Sequence, residues 1–241
     1  METLLENIVK NTSPKPSMQL IVSSNKTDFQ TTYNPPLELE KDNEIALIDL
    51  ETYYSFSNVE NKIFKYNDGK GWVQFKIPNG SYEINSLNDY IQNHLSDKTA
   101  IELIPNRSTL KTIITIKPGY KVSFENDNTI RNILGFNRKI LNAGSHESEN
   151  IANILDVNTI LVHLNIITGS YVNGNPFPVI YSFFPNVSPG YKIVERPHNL
   201  IYLPVAVKTI KNLQVLLTDQ DNNPIDLRGE TITIKFHMRQ I

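Results

Sequence analysis

Thr231-Ile232-Thr233-Ile234-Lys235-Phe236-His237-Met238 alternates polar and apolar side chains without a break. Successive side chains on a strand point to opposite faces, so the run from Glu230 to Met238 reads as a β-strand with one buried and one wet face. Working back from it, Ile210–Thr218, Leu200–Val205, Val179–Phe184 and Thr159–Thr168 repeat the same short apolar or alternating pattern between turn residues. The pattern also governs the first part of the chain, at Gln19–Ser23, Phe29–Tyr33, Leu37–Glu40 and Glu44–Tyr54. In Ile45-Ala46-Leu47-Ile48-Asp49-Leu50 the apolar residues are nearly continuous, which predicts a strand covered on both faces. Pro35-Pro36 offers no N–H to a ladder and marks an edge or a bend. Strands before residue 60 and after 155 number about eight or nine, which suits a two-sheet sandwich of jelly-roll type.

The middle of the chain has a different pattern. Two strands, Ile63–Tyr66 and Trp72–Ile77, flank a turn at Asn67-Asp68-Gly69-Lys70-Gly71. A helix follows, with Ser86 as N-cap, Asp89 three residues on, and Leu87, Tyr90, Ile91 and Leu95 at helical spacing. Strands at Ile101–Ile104, Leu110–Ile116 and Tyr120–Phe124 come next, then a short helix from near Thr129 that Gly135 terminates. Asn142–Asn153 is polar and reads as a loop. Residues 61–149 are therefore expected to form an α+β insertion and polar loop within a discontinuous sandwich made of 18–60 and 150–241. The expected fold class is all-β, a single jelly roll with that small insertion. Met1–Lys10 could form two turns of amphipathic helix, and Pro14 and Pro16 suit an extended linker, so residues 1–17 read as an arm.

Composition narrows the function. The chain has 241 residues, 39% of them hydrophobic, which is too apolar for a disordered polymer. Its net charge of -2 supplies no global attraction for nucleic acid or anionic membrane, and its lysines and arginines are dispersed along the sequence. Without cysteine it has no disulfide, thiolate zinc site or thiol nucleophile. Met1–Lys10 lacks the basic start and long apolar core of a signal peptide, and no run approaches the ~18 apolar residues of a transmembrane helix. The expectation is a soluble protein made inside the cell.

Motifs for catalysis are scarce. There is no Gly-x-Ser-x-Gly elbow, His-Glu-x-x-His pair or phosphate loop, and no His-x-His pair of the kind a cupin metal site uses. Ser145-His146-Glu147-Ser148-Glu149 sets a histidine beside carboxylates in what reads as a solvated loop, while His163 and His237 fall in alternating strands. Asp219, Asp221, Asn223 and Glu230 occupy the first, third, fifth and twelfth places of a calcium loop. Pro224 stands where that loop wants glycine and the flanks are strands, so a polar turn explains the same residues better. No catalytic, cofactor-binding or metal residue is assigned, and the chain is read as a non-enzyme. Two loops, Tyr171–Pro178 and Phe183–Tyr191, mix aromatics with proline. They either cap the ends of the sandwich or form a stiff contact surface that loses little entropy on docking.

The sequence also resembles a known family. Ser188-Pro189-Gly190-Tyr191-Lys192-Ile193-Val194-Glu195, Ile201-Tyr202-Leu203-Pro204-Val205, and Asp221 through Leu227-Arg228-Gly229-Glu230-Thr231-Ile232-Thr233-Ile234 are similar to the minor capsid (penton) proteins of Polinton/Maverick elements and adintoviruses. Gly80-Ser81-Tyr82-Glu83-Ile84-Asn85-Ser86-Leu87-Asn88-Asp89-Tyr90-Ile91 and Ile130-Arg131-Asn132-Ile133-Leu134-Gly135-Phe136 look like the same family. The resemblance spans about residues 30 to 240. It implies a virion protein with a single jelly roll, a homopentamer that closes the five-fold vertices beside a double jelly-roll major capsid protein. It implies no cofactor and no catalytic residues, and the reading includes no direct contact with nucleic acid or membrane. Under it the insertion could project as a receptor-binding knob or cover the vertex sideways. A competing class is a carbohydrate- or receptor-binding sandwich that uses Trp72 and tyrosines as stacking platforms.

Overall fold

The computed structural model describes residues 16–40, 42–154 and 157–241. The chain divides into two compact units, one formed by the segments up to Ser55 and from Asn158 onward, the other running from Phe56 to Val157. The proposed N-terminal helix and most of the arm lie outside the described residues. Ser17, read as the end of that arm, instead opens the first strand, where it pairs with Arg239.

The first unit begins with β1 (Ser17–Ser24), β2 (Asp28–Glu38) and β3 (Asn43–Tyr53). Where two separate strands were expected around Pro35-Pro36, β2 runs through as one element. It can do so because it is the edge strand of its sheet and its pairing is irregular opposite Lys211, so the missing N–H groups interrupt no central ladder.

The second unit contains β4 (Ile63–Asn67), β5 (Trp72–Lys76), α1 (Ile84–His94), β6 (Ile101–Asn106), β7 (Lys111–Ile116), β8 (Lys121–Ser123), α2 (Arg131–Leu134), β9 (Ile140–Leu141) and β10 (Gly144–Glu147). Its strands form two antiparallel sheets, ordered β5-β4-β8-β9 and β10-β7-β6. Helix α1 starts two residues before Ser86, with Glu83 as an N-cap that makes no side-chain capping bond. Its buried stripe is Ile84, Leu87 and Ile91, so burial of Ile84 extends the helix back past the better capping residue. Gly135 ends α2 in the left-handed conformation, φ 81°. The stretch read as a polar loop contains a strand: β10 pairs with β7 from Gly144↔Ile116 to Glu147↔Ile113. Its polarity reflects its position at a sheet edge, where side chains meet water on a ladder held by backbone.

The chain returns to the first unit with β11 (Ile160–Leu164), β12 (Tyr171–Val172), β13 (Asn175–Pro176), β14 (Val179–Phe183), β15 (Lys192–Glu195), β16 (Leu203–Pro204), β17 (Thr209–Thr218) and β18 (Ile232–Gln240). One sheet is ordered β1-β18-β3-β15, with β16 paired further along the same edge of β3; the other is β14-β11-β17-β2. With β15 and β16 counted as one interrupted strand, eight strands interleave between two sheets in the connectivity of a jelly roll. The core side of the first sheet stacks rows across strands: Val22, Ile234 and Leu50, then Leu20, Phe236 and Leu47.

The nearly unbroken apolar run in β3 has a specific cause. Pairing with β18 shifts between Lys235↔Asp49 and Phe236↔Leu47, leaving Ile48 as the extra residue of a bulge. The bulge resets the alternation, so Ile45 and Leu47 on one side of it and Leu50 and Thr52 on the other all face the core. Ala46 is buried on the opposite face. Among the described residues no helix is long and apolar enough to cross a membrane.

Candidate contact surfaces

The two aromatic-proline loops are at opposite ends of the jelly roll. The segment holding Tyr171–Pro178 leaves β11 and enters β14, whereas Phe184–Tyr191 leaves β14 and enters β15. At the first end, Thr168 N–H donates to Pro204 O, Ala206 N–H to Ile166 O, and Leu39 N–H to Lys208 O. At the other, Thr27 Oγ1 donates to Ile225 O at 2.5 Å and Ser55 Oγ to Leu227 O at 2.6 Å. Both points at which this unit's chain is interrupted lie at that second end, since Asn158 N–H donates to Gln220 Oε1 at 3.0 Å.

Each loop splits its aromatics between an anchor and an exposed side chain. In the first, Phe177 packs edge-on against the His163 ring, centroids 5.0 Å apart, while Tyr171 is 67% exposed. Tyr171–Val172 and Asn175–Pro176 form a small hairpin, turned by Asn173 and Gly174 at positive φ. In the second, Phe183 is buried against the Tyr181 ring, but Phe184 and Tyr191 are 65% and 68% exposed. Backbone bonds pin the end of this loop: Tyr54 N–H donates to Tyr191 O, and Gly190 N–H to Tyr54 O. Capping and presentation thus belong to different residues of the same loops.

The outer face of the first sheet is a ladder of ion pairs centred on β3. Arg239 Nε meets Glu44 Oε1 at 2.5 Å, Lys235 Nζ meets Asp49 Oδ2 at 2.6 Å, and Lys192 Nζ meets Glu51 Oε2 at 2.5 Å. Arg196 Nε adds a second cation 3.4 Å from Asp49 Oδ1. Burial raises the Asp49 pKa, but hydrogen bonds and charge from Lys235 and then Arg196 outweigh it, so the carboxyl titrates below its ordinary value. Near the top of the ladder Tyr202 donates to or accepts from His237 Nδ1 at 2.7 Å, and the Arg239 guanidinium stacks 3.6 Å from its ring centre. Tyr53, Val194 and Tyr191 are exposed along the β15 side of this face. These pairs join residues far apart in sequence, and only the register of β3 brings them together.

The remaining motifs resolve locally. Asp219 turns its carboxylate onto its own loop: Oδ1 accepts from Asp221 N–H and Asn223 N–H, both at 2.8 Å, and Oδ2 from Asn223 Nδ2 at 3.0 Å. This is a polar turn of the Asx kind. Glu230 uses its N–H to reach Leu227 O. Among the described residues, no group of three or more His, Asp or Glu side chains is placed to hold a metal ion. His146 lies on β10, its Nε2 2.8 Å from Asn142 O, and not in a loop. His163 is buried, with Nε2 2.8 Å from Thr218 Oγ1, and its burial lowers its pKa. Trp72 is 44% exposed on β5, with Lys65 Nζ 5.4 Å from the ring centroid.

No family model and no curated protein matches the chain. Among solved structures, the crystal structure of selenomethionine-labelled mavirus penton protein matches with a TM-score of 0.51 at 10% sequence identity. The match covers 94% of this chain and 100% of that one. At that identity the likeness is one of fold: the chain is a predominantly β protein with a jelly-roll unit, and its fold is similar to that of the mavirus penton protein.

Proposed function

We propose that the protein is a penton-type minor capsid subunit, five copies of which close a vertex of an icosahedral capsid. The observation that carries this reading is the extent of the structural match. The second unit is far too large to fall within the uncovered remainder, so the likeness includes both the sandwich and the unit interrupting it. The sequence resemblance to penton proteins of Polinton/Maverick elements and adintoviruses supports the same assignment from independent grounds. In a five-fold ring each subunit meets its neighbours through two unlike surfaces, and the ring closes because the rotation does. The stiff loops presenting Tyr171 at one end and Phe184 and Tyr191 at the other suit such contacts.

Under this reading the protein acts by binding, resides in the virion, and meets a double jelly-roll major capsid protein along the outside of the ring. Co-expression with that major capsid protein tests the assignment. Particles that carry this chain at their vertices are the expected product. Particles that form with the chain left entirely in the unassembled fraction would contradict it.

A further inference from the structure

The sheet β5-β4-β8-β9 of the second unit has one apolar and one basic face. Its four strands read Ile63-Phe-Lys-Tyr-Asn67, Trp72-Val-Gln-Phe-Lys76, Lys121-Val-Ser123 and Ile140-Leu141, and none contains an acidic residue. Phe64, Tyr66, Phe75, Val122 and Leu141 face the unit's core. The registers Lys65↔Gln74, Asn67↔Trp72, Ile63↔Lys76 and Asn67↔Lys121 put all three lysines on the other face, with Trp72, Asn67 and Gln74. Lys76 and Lys121 are exposed, Lys65 is half-buried against the Trp72 ring, and Lys76 Nζ reaches the neutral Asn61 Oδ1 at 3.3 Å. Among the described residues, no carboxylate is within ion-pair distance of any of the three. On the outer face of the first unit's β3 sheet, by contrast, each β3 carboxylate is matched by a cation.

We infer that this face binds a sulfated polysaccharide. Three lysines lie on three adjacent strands, with Lys76 and Lys121 two strands apart and offset by four residues along β4, a backbone separation of about 16 Å, and they present point charges to an anionic chain. The face has no arginine, so its lysines act as point charges that suit sulfate and phosphate alike, and the sugar-binding side chains among them favour a polysaccharide over a nucleic acid. Gln74 supplies an amide donor and acceptor for sugar hydroxyls and Asn67 its amide Nδ2, its Oδ1 accepting from Gly69 N–H at 2.8 Å, and the exposed Trp72 indole offers a flat apolar surface for the C–H face of a pyranose ring. Lys65 and Lys76 come from the β4–β5 hairpin and Lys121 from β8, far along the sequence, so only the sheet assembles the patch. This inference goes beyond the capsid assignment and does not depend on it, since glycan binding and ring formation are read separately.

The test is binding of the full-length protein to immobilised heparin at 50 mM NaCl, with uncharged dextran, a duplex DNA fragment and phosphatidylserine vesicles as comparisons. Heparin binding that weakens as salt screens the charges, with no retention on dextran, is the expected result. K65Q/K76Q/K121Q should lower heparin affinity at least tenfold and W72A about threefold, with far-ultraviolet circular dichroism unchanged. K26Q/K208Q/K211Q, at exposed lysines of the first unit, should leave affinity unaltered. Should the triple variant unfold, K65Q and K121Q singly carry the same comparison. Absence of heparin binding, equal affinity in the triple variant, or tighter binding to DNA or vesicles through the same lysines would each overturn the inference.

Discussion

The Tyr181 hydroxyl donates a 2.7 Å hydrogen bond to Glu195 Oε1, tying the β14 edge of one sheet to the β15 edge of the other. Burial and then the bond to the Glu195 carboxylate push Tyr181 up to about 12. An unfolded tyrosine ionises near 10, so between those values the unfolded chain sheds a proton that the folded chain keeps. Stability from this group is therefore complete below pH 10 and is lost as pH rises toward 12. Y181F should cost about 1–2 kcal/mol in urea unfolding at pH 7 and make the decline above pH 10 shallower.

Asp49 is the buried centre of the ion-pair ladder. Because its folded pKa lies below the unfolded one, its contribution is present above the ordinary carboxylate range and disappears as pH falls through the folded value. D49N keeps the shape but leaves Lys235 without its charge partner, at a cost of about 1–3 kcal/mol. Unfolding midpoints of wild type and D49N should converge on acidification. A difference that persists unchanged to pH 2 would assign the effect to packing.

His163 is held neutral by burial, and its partners across the ladders and beneath Phe177 are Thr218, Leu216 and Val179, none of them charged. The unfolded chain takes up a proton near 6.5 and the folded chain only at lower pH, so stability should fall as pH drops below 6.5. Because Phe177 rests on this ring, limited proteolysis in the Tyr171–Pro178 segment should accelerate at pH 5.5. H163F should flatten that dependence.

Gly135 is required twice over. Its φ of 81° disfavours any side chain, and an added Cβ would sit 2.3 Å from Asn150 O, a backbone atom that cannot swing away. G135A should destabilise the second unit by about 2–4 kcal/mol, seen as an earlier melting transition, with little effect on the jelly roll.

The sequence made the jelly roll legible where local patterns and tertiary burial agree. The alternation at Thr231–Met238 is the β18 ladder, and Gly135 stops α2 as its spacing implies. Other features were hidden because their cause lies elsewhere in the chain. The apolar run in β3 owes its continuity partly to the Ile48 bulge, which pairing with β18 defines. Polar β10 is a strand because β7 is beside it. Helix α1 begins at Ile84 because the core takes that side chain, although Ser86 is the better cap. At the surface, the aromatic-proline loops could be found by composition, but their separation to opposite ends follows from topology. The basic face was invisible in a dispersed charge count, since Lys65, Lys76 and Lys121 converge only through strand register.

Sedimentation equilibrium of the purified full-length protein, with negative-stain images of the same sample, tests the capsid assignment most directly. The expected result is a species of five 27.5 kDa chains that appears as five-fold rings. A monomer at every concentration, with no rings and no incorporation beside a major capsid protein, would contradict it.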